Sequence, residues 1–238
     1  MKTKTWTRKG FTLVELLVVI AIIVALAALA TPAILKQRKK MDMTQAISNS
    51  KQVYLILMDF ESDMGNFPDA NTAGESDELA SFTGTQSNKL LGQLIAGGYT
   101  KSEEIFFAKG GNPSGNQKPD DVISPVGKIL EAGECGFAYI NVTGASSGLR
   151  GLSTSDNGGI PIIMAPVAAG GAEPTFKPDP YDSRGVYLRV DGSARSERLN
   201  TTDNKIKIGG GKTLFQTGTG TVWGEGDSAV TPTVYLPQ

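Results

Sequence analysis

The sequence predicts an α+β protein in which a long N-terminal helix, transmembrane over its first half, packs on a mostly antiparallel β-sheet head. Residues 16–35 are a run of 20 amino acids without a charge, about the number that a helix needs to cross the roughly 30 Å hydrocarbon core of a bilayer. Apolar residues then recur at helical spacing as far as Met64, and strand and turn signals dominate beyond Tyr99.

Glu15 places a carboxylate at the N-terminal end of the apolar run. An ionisable side chain in a membrane segment is costly enough to indicate a function and a partner. A cut between Gly10 and Phe11 would create such a partner, because it would leave a positively charged α-amino group four residues before Glu15. The amine could belong to the same helix or to a neighbouring chain.

Three other interpretations of this N-terminus compete with a cut after Gly10. A secretory signal would end near the Ala-Leu-Ala of residues 28–30, but Glu15 would weaken its apolar region. A plain single-pass anchor stays open, and its orientation is undetermined because four basic residues flank each side of the run. A buried helix of a soluble protein is disfavoured, since 20 uncharged residues are too many for it.

The segment Lys-Gly-Phe-Thr-Leu-Val-Glu-Leu-Leu at residues 9–17, followed by Val-Val-Ile-Ala-Ile-Ile and then Pro32, resembles the type IV pilin superfamily. That superfamily includes the pseudopilins of type II secretion systems. The resemblance implies that residues 1–10 are a prepilin leader cut after Gly10, that Phe11 becomes N-methylated, and that Glu15 is needed for efficient assembly. It also implies that the helix near Pro32 can lose helicity in a filament. The strong match covers about the first 35 residues.

The resemblance further implies a structural subunit of a type IV pilus or a type II secretion pseudopilus, and not an enzyme. Its partners would be the prepilin peptidase, other pilin or pseudopilin subunits and an inner-membrane assembly platform. Before assembly the chain would be a single-pass inner-membrane protein with a periplasmic head, built from residues 11–40 as the membrane and filament-core helix and residues 41–238 as the head. Two alternatives stay open: a filament-associated adhesin, and a membrane-anchored protein with a ligand-binding head.

Charge is unevenly distributed along the chain. Residues 1–40 hold 8 of the 23 basic and 1 of the 24 acidic residues, which leaves 15 basic and 23 acidic residues from Met41 onward, a net charge of −8. An acidic head gives no electrostatic basis for nucleic-acid binding. Cys135 is the only cysteine, so no internal disulfide can form, and we expect it to be a small buried hydrophobe beside Phe137.

The helical part of the chain is predicted from spacing. The first helix covers residues 11–64, with a kink or weak point expected at Pro32, and Gly65 and Pro68 supply its stop. Its head-facing side consists of apolar and small residues three and four positions apart, namely Met43, Ala46, Ile47, Ser50, Val53, Tyr54, Leu57, Phe60 and Met64. Residues 69–86 read as a loop, and residues 88–96 as a second helix stopped by Gly97 and Gly98.

Strands are predicted at residues 105–107, 137–142 and 160–167, the last with Pro161 and Pro166 outside the hydrogen-bonded ladder. Residues 185–190 and 193–199 form a predicted hairpin with a type I′ turn at Asp191-Gly192. The tail, residues 201–238, reads as short strands and loops.

No catalytic or cofactor-binding residues are expected. Residues 144–148 match the Gly-x-Ser-x-Gly nucleophile pattern, but the chain has no histidine to act as a base. Gly211-Lys212-Thr213 ends like a phosphate-binding loop that lacks its first glycine. Asp120 and Asp121 form an adjacent acidic pair, which we interpret as solvated loop charges and not as a metal site, because no EF-hand pattern surrounds it. The major pseudopilins that the chain resembles have a calcium site near the C-terminus.

Overall fold

The computed structural model describes residues 11–112, 117–144, 147–171, 173–226 and 229–238. The predicted leader and Gly10 therefore lie outside the described residues. The chain divides into two compact units, Met1–Arg38 and Lys39–Gln238. Helix α1, Leu13–Met64, is 52 residues long and contributes to both units. It is followed by a second helix and an antiparallel sheet, which confirms the α+β class.

In the first unit, every described residue is exposed. This part of α1 includes the uncharged run, and α1 is the one helix among the described residues that is long and apolar enough to cross a membrane by length and composition. Because about 20 apolar side chains in water would be strongly unfavourable, they must be covered by lipid or protein.

The second part of α1 has one buried face, as the spacing predicts. The buried residues of the helix are Ala46, Asn49, Ser50, Val53, Leu57 and Phe60. Two polar side chains on this face bond to the backbone of the head: the Asn49 amide donates to the carbonyls of Glu104 and Phe107 at 3.0 and 2.9 Å, and the Tyr54 hydroxyl donates to the Val190 carbonyl at 2.9 Å. The helix ends as predicted, where Gly65 adopts a φ of +81°.

Helix α2, Ser87–Ala96, confirms the second predicted helix. It stops where the Gly97 and Gly98 amides donate to the Gln93 and Ile95 carbonyls at 2.8 and 3.0 Å. The preceding segment, residues 69–86, is more ordered than the predicted loop, because it contains a 3₁₀ turn, Thr72–Gly74, and buries Leu79 and Phe82.

Eight short strands follow among the described residues. They are β1 Ala138–Gly144, β2 Gly148–Arg150, β3 Pro161–Ala165, β4 Val167–Ala169, β5 Thr175–Phe176, β6 Arg184–Arg189, β7 Ala194–Arg198 and β8 Val230–Tyr235. The main sheet has the order β2-β1-β3-β6-β7, with β8 also paired to β1, and all of its pairings are antiparallel. Strands β4 and β5 form a separate pair.

Strand β1 is the centre of the main sheet because both of its edges are occupied. Strand β8 pairs with it from Tyr139 to Gly144. The opposite edge is shared, since β3 pairs with Ala138 and Tyr139 and β2 pairs with residues 142–144. Part of the tail is therefore integral to the sheet, and Trp223 is fully buried with its indole N–H donating to the Leu214 carbonyl at 2.8 Å.

Three local predictions are corrected. Residues 105–107 are not a strand: Glu104–Phe106 is a 3₁₀ turn, and two carbonyls of this segment accept from Asn49 of α1 instead of from a strand. Pro161 lies inside β3, opposite Arg189, although Pro166 lies outside the ladder as expected.

The third correction concerns the β6–β7 turn, which is not type I′. That turn requires a positive φ at both central residues, whereas φ is positive at Gly192, +76°, but not at Asp191. The Gly192 amide donates to the Arg189 carbonyl at 2.9 Å and the Arg189 amide to the Ser193 carbonyl at 3.1 Å. The hairpin loop therefore has three residues, with glycine in the left-handed position.

We expect α1 to stabilise the head mainly through its buried face. Phe60 is fully buried, whereas Leu55 on the same helix is 69% exposed. Phe60→Ala should lower the free energy of unfolding by about 3–5 kcal/mol, the usual cost of deleting a buried aromatic ring. Leu55→Ala is the matched control and should change it by less than about 0.5 kcal/mol. Urea unfolding of the full chain in detergent micelles, followed by tryptophan fluorescence, measures both; equal losses would contradict this assignment of the core.

Candidate functional site

The N-terminal end of α1 contains a capping box built from Thr12 and Glu15. The Thr12 amide and hydroxyl both donate to Glu15 Oε2, at 2.9 and 2.7 Å, and the Glu15 amide donates to Thr12 Oγ1 at 3.2 Å. The first backbone bond of the helix runs from the Leu16 amide to the Thr12 carbonyl at 3.2 Å. This reciprocal arrangement satisfies amides that would otherwise lack partners at a helix start.

The capping box fixes the direction of the Glu15 carboxylate. Its contacts with Thr12 hold it toward the N-terminal end of the helix, one residue from Phe11. Both donors bind Oε2, and Oε1 accepts no hydrogen bond from any described residue. A carboxylate in the first turn also interacts favourably with the positive end of the helix dipole. The side chain is thus held in place while one oxygen stays available.

Apolar side chains surround Glu15 on one face of the helix. Phe11, Val14, Val18 and Val19 line a shallow apolar depression together with it. Their spacing of three and four residues makes them neighbours on the helix surface. Phe11 itself is 73% exposed. The carboxylate therefore lies in a surface that would be dry once another helix or lipid covered it.

A second apolar depression follows along the helix. It is lined by Leu17, Ile20, Ala21, Val24, Ala25 and Ala28. Small residues allow helix backbones to approach closely where the hydrophobic effect does not drive association. This surface is suited to contact with other helices.

Pro32 lies inside α1, which continues on both sides of it. Because proline has no N–H, the Ala28 carbonyl lacks its usual helical donor. Next to it, the Thr31 hydroxyl donates to the Ala27 carbonyl at 2.7 Å. The helix is therefore intact but short of one backbone bond at this turn, and a loss of helicity here on assembly stays a prediction.

Thr12 was missed in the sequence, although a signal for it was present. The pattern Thr-x-x-Glu directly before an apolar run is the capping-box signature. It was overlooked because Glu15 was considered only as a charge that needs a charged partner. The structure brings Phe11, Thr12 and Glu15 together at the start of α1 and leaves Pro32 more than four helical turns away.

Two features of the head that resemble catalytic or reactive groups, the Gly-x-Ser-x-Gly pattern and Cys135, have structural roles. Gly144 and Gly148 pair across the β1–β2 hairpin, so their pattern marks a turn. Cys135 is fully buried, as expected, and burial raises the pKa of its thiol to about 11, which keeps it protonated and unreactive at neutral pH. Its Sγ contacts the Phe137 carbonyl oxygen at 3.5 Å.

Comparison with known proteins finds a family match at the N-terminus. Residues 7–31 match a family model described as the prokaryotic N-terminal methylation motif. The chain is also similar to the type IV major pilin protein PilA of Myxococcus xanthus (strain DK1622), with 38% identity over 71 residues, or 29% of this chain and 32% of the relative. The chain thus matches about a third of the length of that pilin.

No solved structure matches the chain. The two sequence matches, the apolar helix and the antiparallel sheet all agree with a resemblance to the type IV pilin superfamily. The chain carries the prokaryotic N-terminal methylation motif and is similar, over that 71-residue segment, to a type IV major pilin.

Proposed function

We propose that this chain is a structural subunit of a pilus-type filament, made as a prepilin in the inner membrane and assembled through α1. The observation that carries the proposal is the fully exposed, uncharged run of residues 16–35 with Glu15 just before it. Glu15 and the run as far as residue 31 lie inside the matched motif. An apolar helix of this kind needs lipid before assembly and neighbouring helices afterwards. The proposed role is structural and not catalytic.

In this proposal, a prepilin peptidase cuts after Gly10 and Phe11 becomes the N-methylated first residue. Cleavage would remove the basic leader and create a positive charge at the Phe11 nitrogen. The head would then be periplasmic, and the subunit would meet an inner-membrane assembly platform. The named relative is a type IV major pilin, which favours a pilus over a secretion pseudopilus.

Glu15 would set the register between subunits. A carboxylate among apolar side chains is tolerated when it is paired, and the Phe11 amine of an adjacent subunit is a suitable partner. In the described chain, Thr12 occupies Oε2 and leaves Oε1 for that amine. A slip of one helical turn would leave both charges unpaired in an apolar core, so the pair would select one axial position.

The first prediction concerns processing. Gly10→Val should block cleavage, because a branched side chain would obstruct the approach of the peptidase to the backbone. Gly10→Ala, which adds one methyl group, is the control and should be cut more than the valine variant. Mass analysis of the mature N-terminus measures the outcome. A wild-type protein that begins at Met1 or Thr31, and not at methylated Phe11, would contradict the proposed processing.

The second prediction concerns the Glu15 charge. Glu15→Leu should insert and be cut normally but enter filaments about tenfold less often than wild type, a loss equivalent to roughly 1.4 kcal/mol per subunit. Glu15→Gln is the matched variant, because it keeps an oxygen acceptor for Thr12 and removes only the charge, so it should show the same loss. A competition assay with tagged subunits measures incorporation. If Glu15→Gln were incorporated as well as wild type, the electrostatic register would be wrong.

The third prediction separates the capping box from the charge. Thr12→Val removes the hydroxyl that holds Glu15, whereas Thr12→Ser keeps it. Amide hydrogen exchange at residues 13–15 in micelles should be about fivefold faster in the valine variant, since a lost cap weakens a helix end by about 1 kcal/mol. Incorporation should also fall for Thr12→Val and not for Thr12→Ser. Equal exchange in the two variants would remove Thr12 from the mechanism.

A further inference from the structure

Three carboxylates meet in the head, far along the chain from the filament site. One carboxylate oxygen from each of Glu103, Asp120 and Glu134 lies within 4.8 Å of the others. Glu103 directly precedes the 3₁₀ turn Glu104–Phe106, and the other two residues belong to the long loop before β1. Like charges this close repel each other unless a proton or a cation neutralises them.

Glu103 gives a second, independent indication of a ligand. Its side chain is fully buried, and Oε1 accepts a hydrogen bond from the Leu130 amide at 2.7 Å. Its other oxygen, Oε2, is buried and has no hydrogen-bond partner among the described residues. A buried carboxylate oxygen without a partner is costly. The loop thus encloses a carboxyl oxygen that no described donor satisfies.

The other two carboxylates are oriented by the backbone of the same loop. Glu134 is 4% exposed and its Oε2 accepts from the Glu131 amide at 2.7 Å. Asp120 is exposed, and its Oδ1 accepts from the Val122 amide at 2.9 Å. Burial raises the pKa of the Glu103 and Glu134 carboxyl groups, and the neighbouring carboxylates raise both further.

Among the described residues, no basic side chain forms an ion pair with a member of the cluster. Lys128, in the same loop, donates to both carboxylate oxygens of Glu131 at 3.0 Å. The Asp121 carboxylate points to the backbone instead, where its Oδ1 accepts from the Glu103 amide at 2.6 Å. Of the acidic pair at residues 120–121, only Asp120 thus belongs to the cluster.

We propose that Glu103, Asp120 and Glu134 bind a hard divalent cation, and that the cation is Ca²⁺. The donor set is all oxygen, which suits Ca²⁺ and Mg²⁺ and not the softer metals. The three oxygens lie within 4.8 Å of one another, close enough to ligate one ion together. Ca²⁺ accepts several protein carboxylates in flexible geometry, whereas Mg²⁺ usually keeps several waters and binds only one or two carboxylates. A site with three carboxylates therefore favours Ca²⁺.

A bound cation would crosslink two segments of the head that are otherwise joined by a few hydrogen bonds. It would bridge Glu103, just after α2, to the loop of residues 117–135. That loop also holds the end of the chain, because the Gly133 amide donates to the Gln238 carbonyl at 2.6 Å. Occupancy should therefore stabilise the region of the head next to α2 and β8.

Calorimetry on the full chain in detergent micelles, freed of metal with EGTA and returned to chelator-free buffer at pH 7, tests the site. Titration with CaCl₂ should give one ion per chain, bound more tightly than Mg²⁺. Asp120→Asn should raise the Kd for Ca²⁺ by about tenfold or more, since the number of charged ligands sets affinity. Asp77→Asn changes an exposed aspartate outside the cluster and is the matched control.

Thermal unfolding supplies a second readout. Ca²⁺ should raise the Tm of the wild type and of Asp77→Asn, and leave that of Asp120→Asn unchanged. Glu103→Gln keeps an oxygen for the Leu130 amide and removes the buried charge, so its Tm in EGTA should exceed that of the wild type and should not respond to Ca²⁺. Absence of Ca²⁺ binding to the wild type, or wild-type affinity in Asp120→Asn, would overturn the proposal. Neither result would affect the proposed filament function.

Discussion

The exposed apolar half of α1 is the constraint on which the rest of the proposal depends. Twenty uncharged residues without a buried face within the chain must find another apolar environment. A bilayer and a bundle of identical helices are both such environments, and a helix surface with small residues at positions 21, 25 and 28 can pack in either. Transfer between the two therefore costs little hydrophobic free energy. In the proposed filament, polar groups, and Glu15 first among them, would therefore set the axial position of each helix.

The second half of the same helix packs on the head. There the apolar residues lie on one face, and the head covers them. Asn49 and Tyr54 add directed bonds from that face to backbone carbonyls on different segments of the head. Hydrophobic contact alone would permit the helix to slide or rotate on the head, whereas these bonds have one geometry. The change of pattern near Met41 thus separates an exposed apolar segment, which in the proposed function would move from lipid to neighbouring helices, from a segment that stays packed on the head.

Much of the architecture follows from sequence periodicity. The two misses below depend on contacts between residues that are far apart in the sequence. Both helices and the main strands were predicted within a few residues because long apolar patterns dominate local preferences. Residues 105–107 were predicted as a strand because a run of three apolar residues suits either a buried strand or a buried 3₁₀ turn. The structure has the turn, and Asn49 of α1 donates to its backbone. The acidic cluster was missed because its members are 17 and 14 residues apart, and no spacing rule connects them before the loop folds.

The capping box changes how the Glu15 charge can act. If the carboxylate were free, it would sample several rotamers, and pairing with an amine would cost the entropy of fixing it. The hydrogen bonds from Thr12 already restrict the carboxylate within the monomer, and both are made to Oε2. Because the Thr12 amide lies after the proposed cut, cleavage leaves this donor in place. The other oxygen, Oε1, stays free of described donors, so processing would supply the new charge close to a carboxylate that Thr12 already holds.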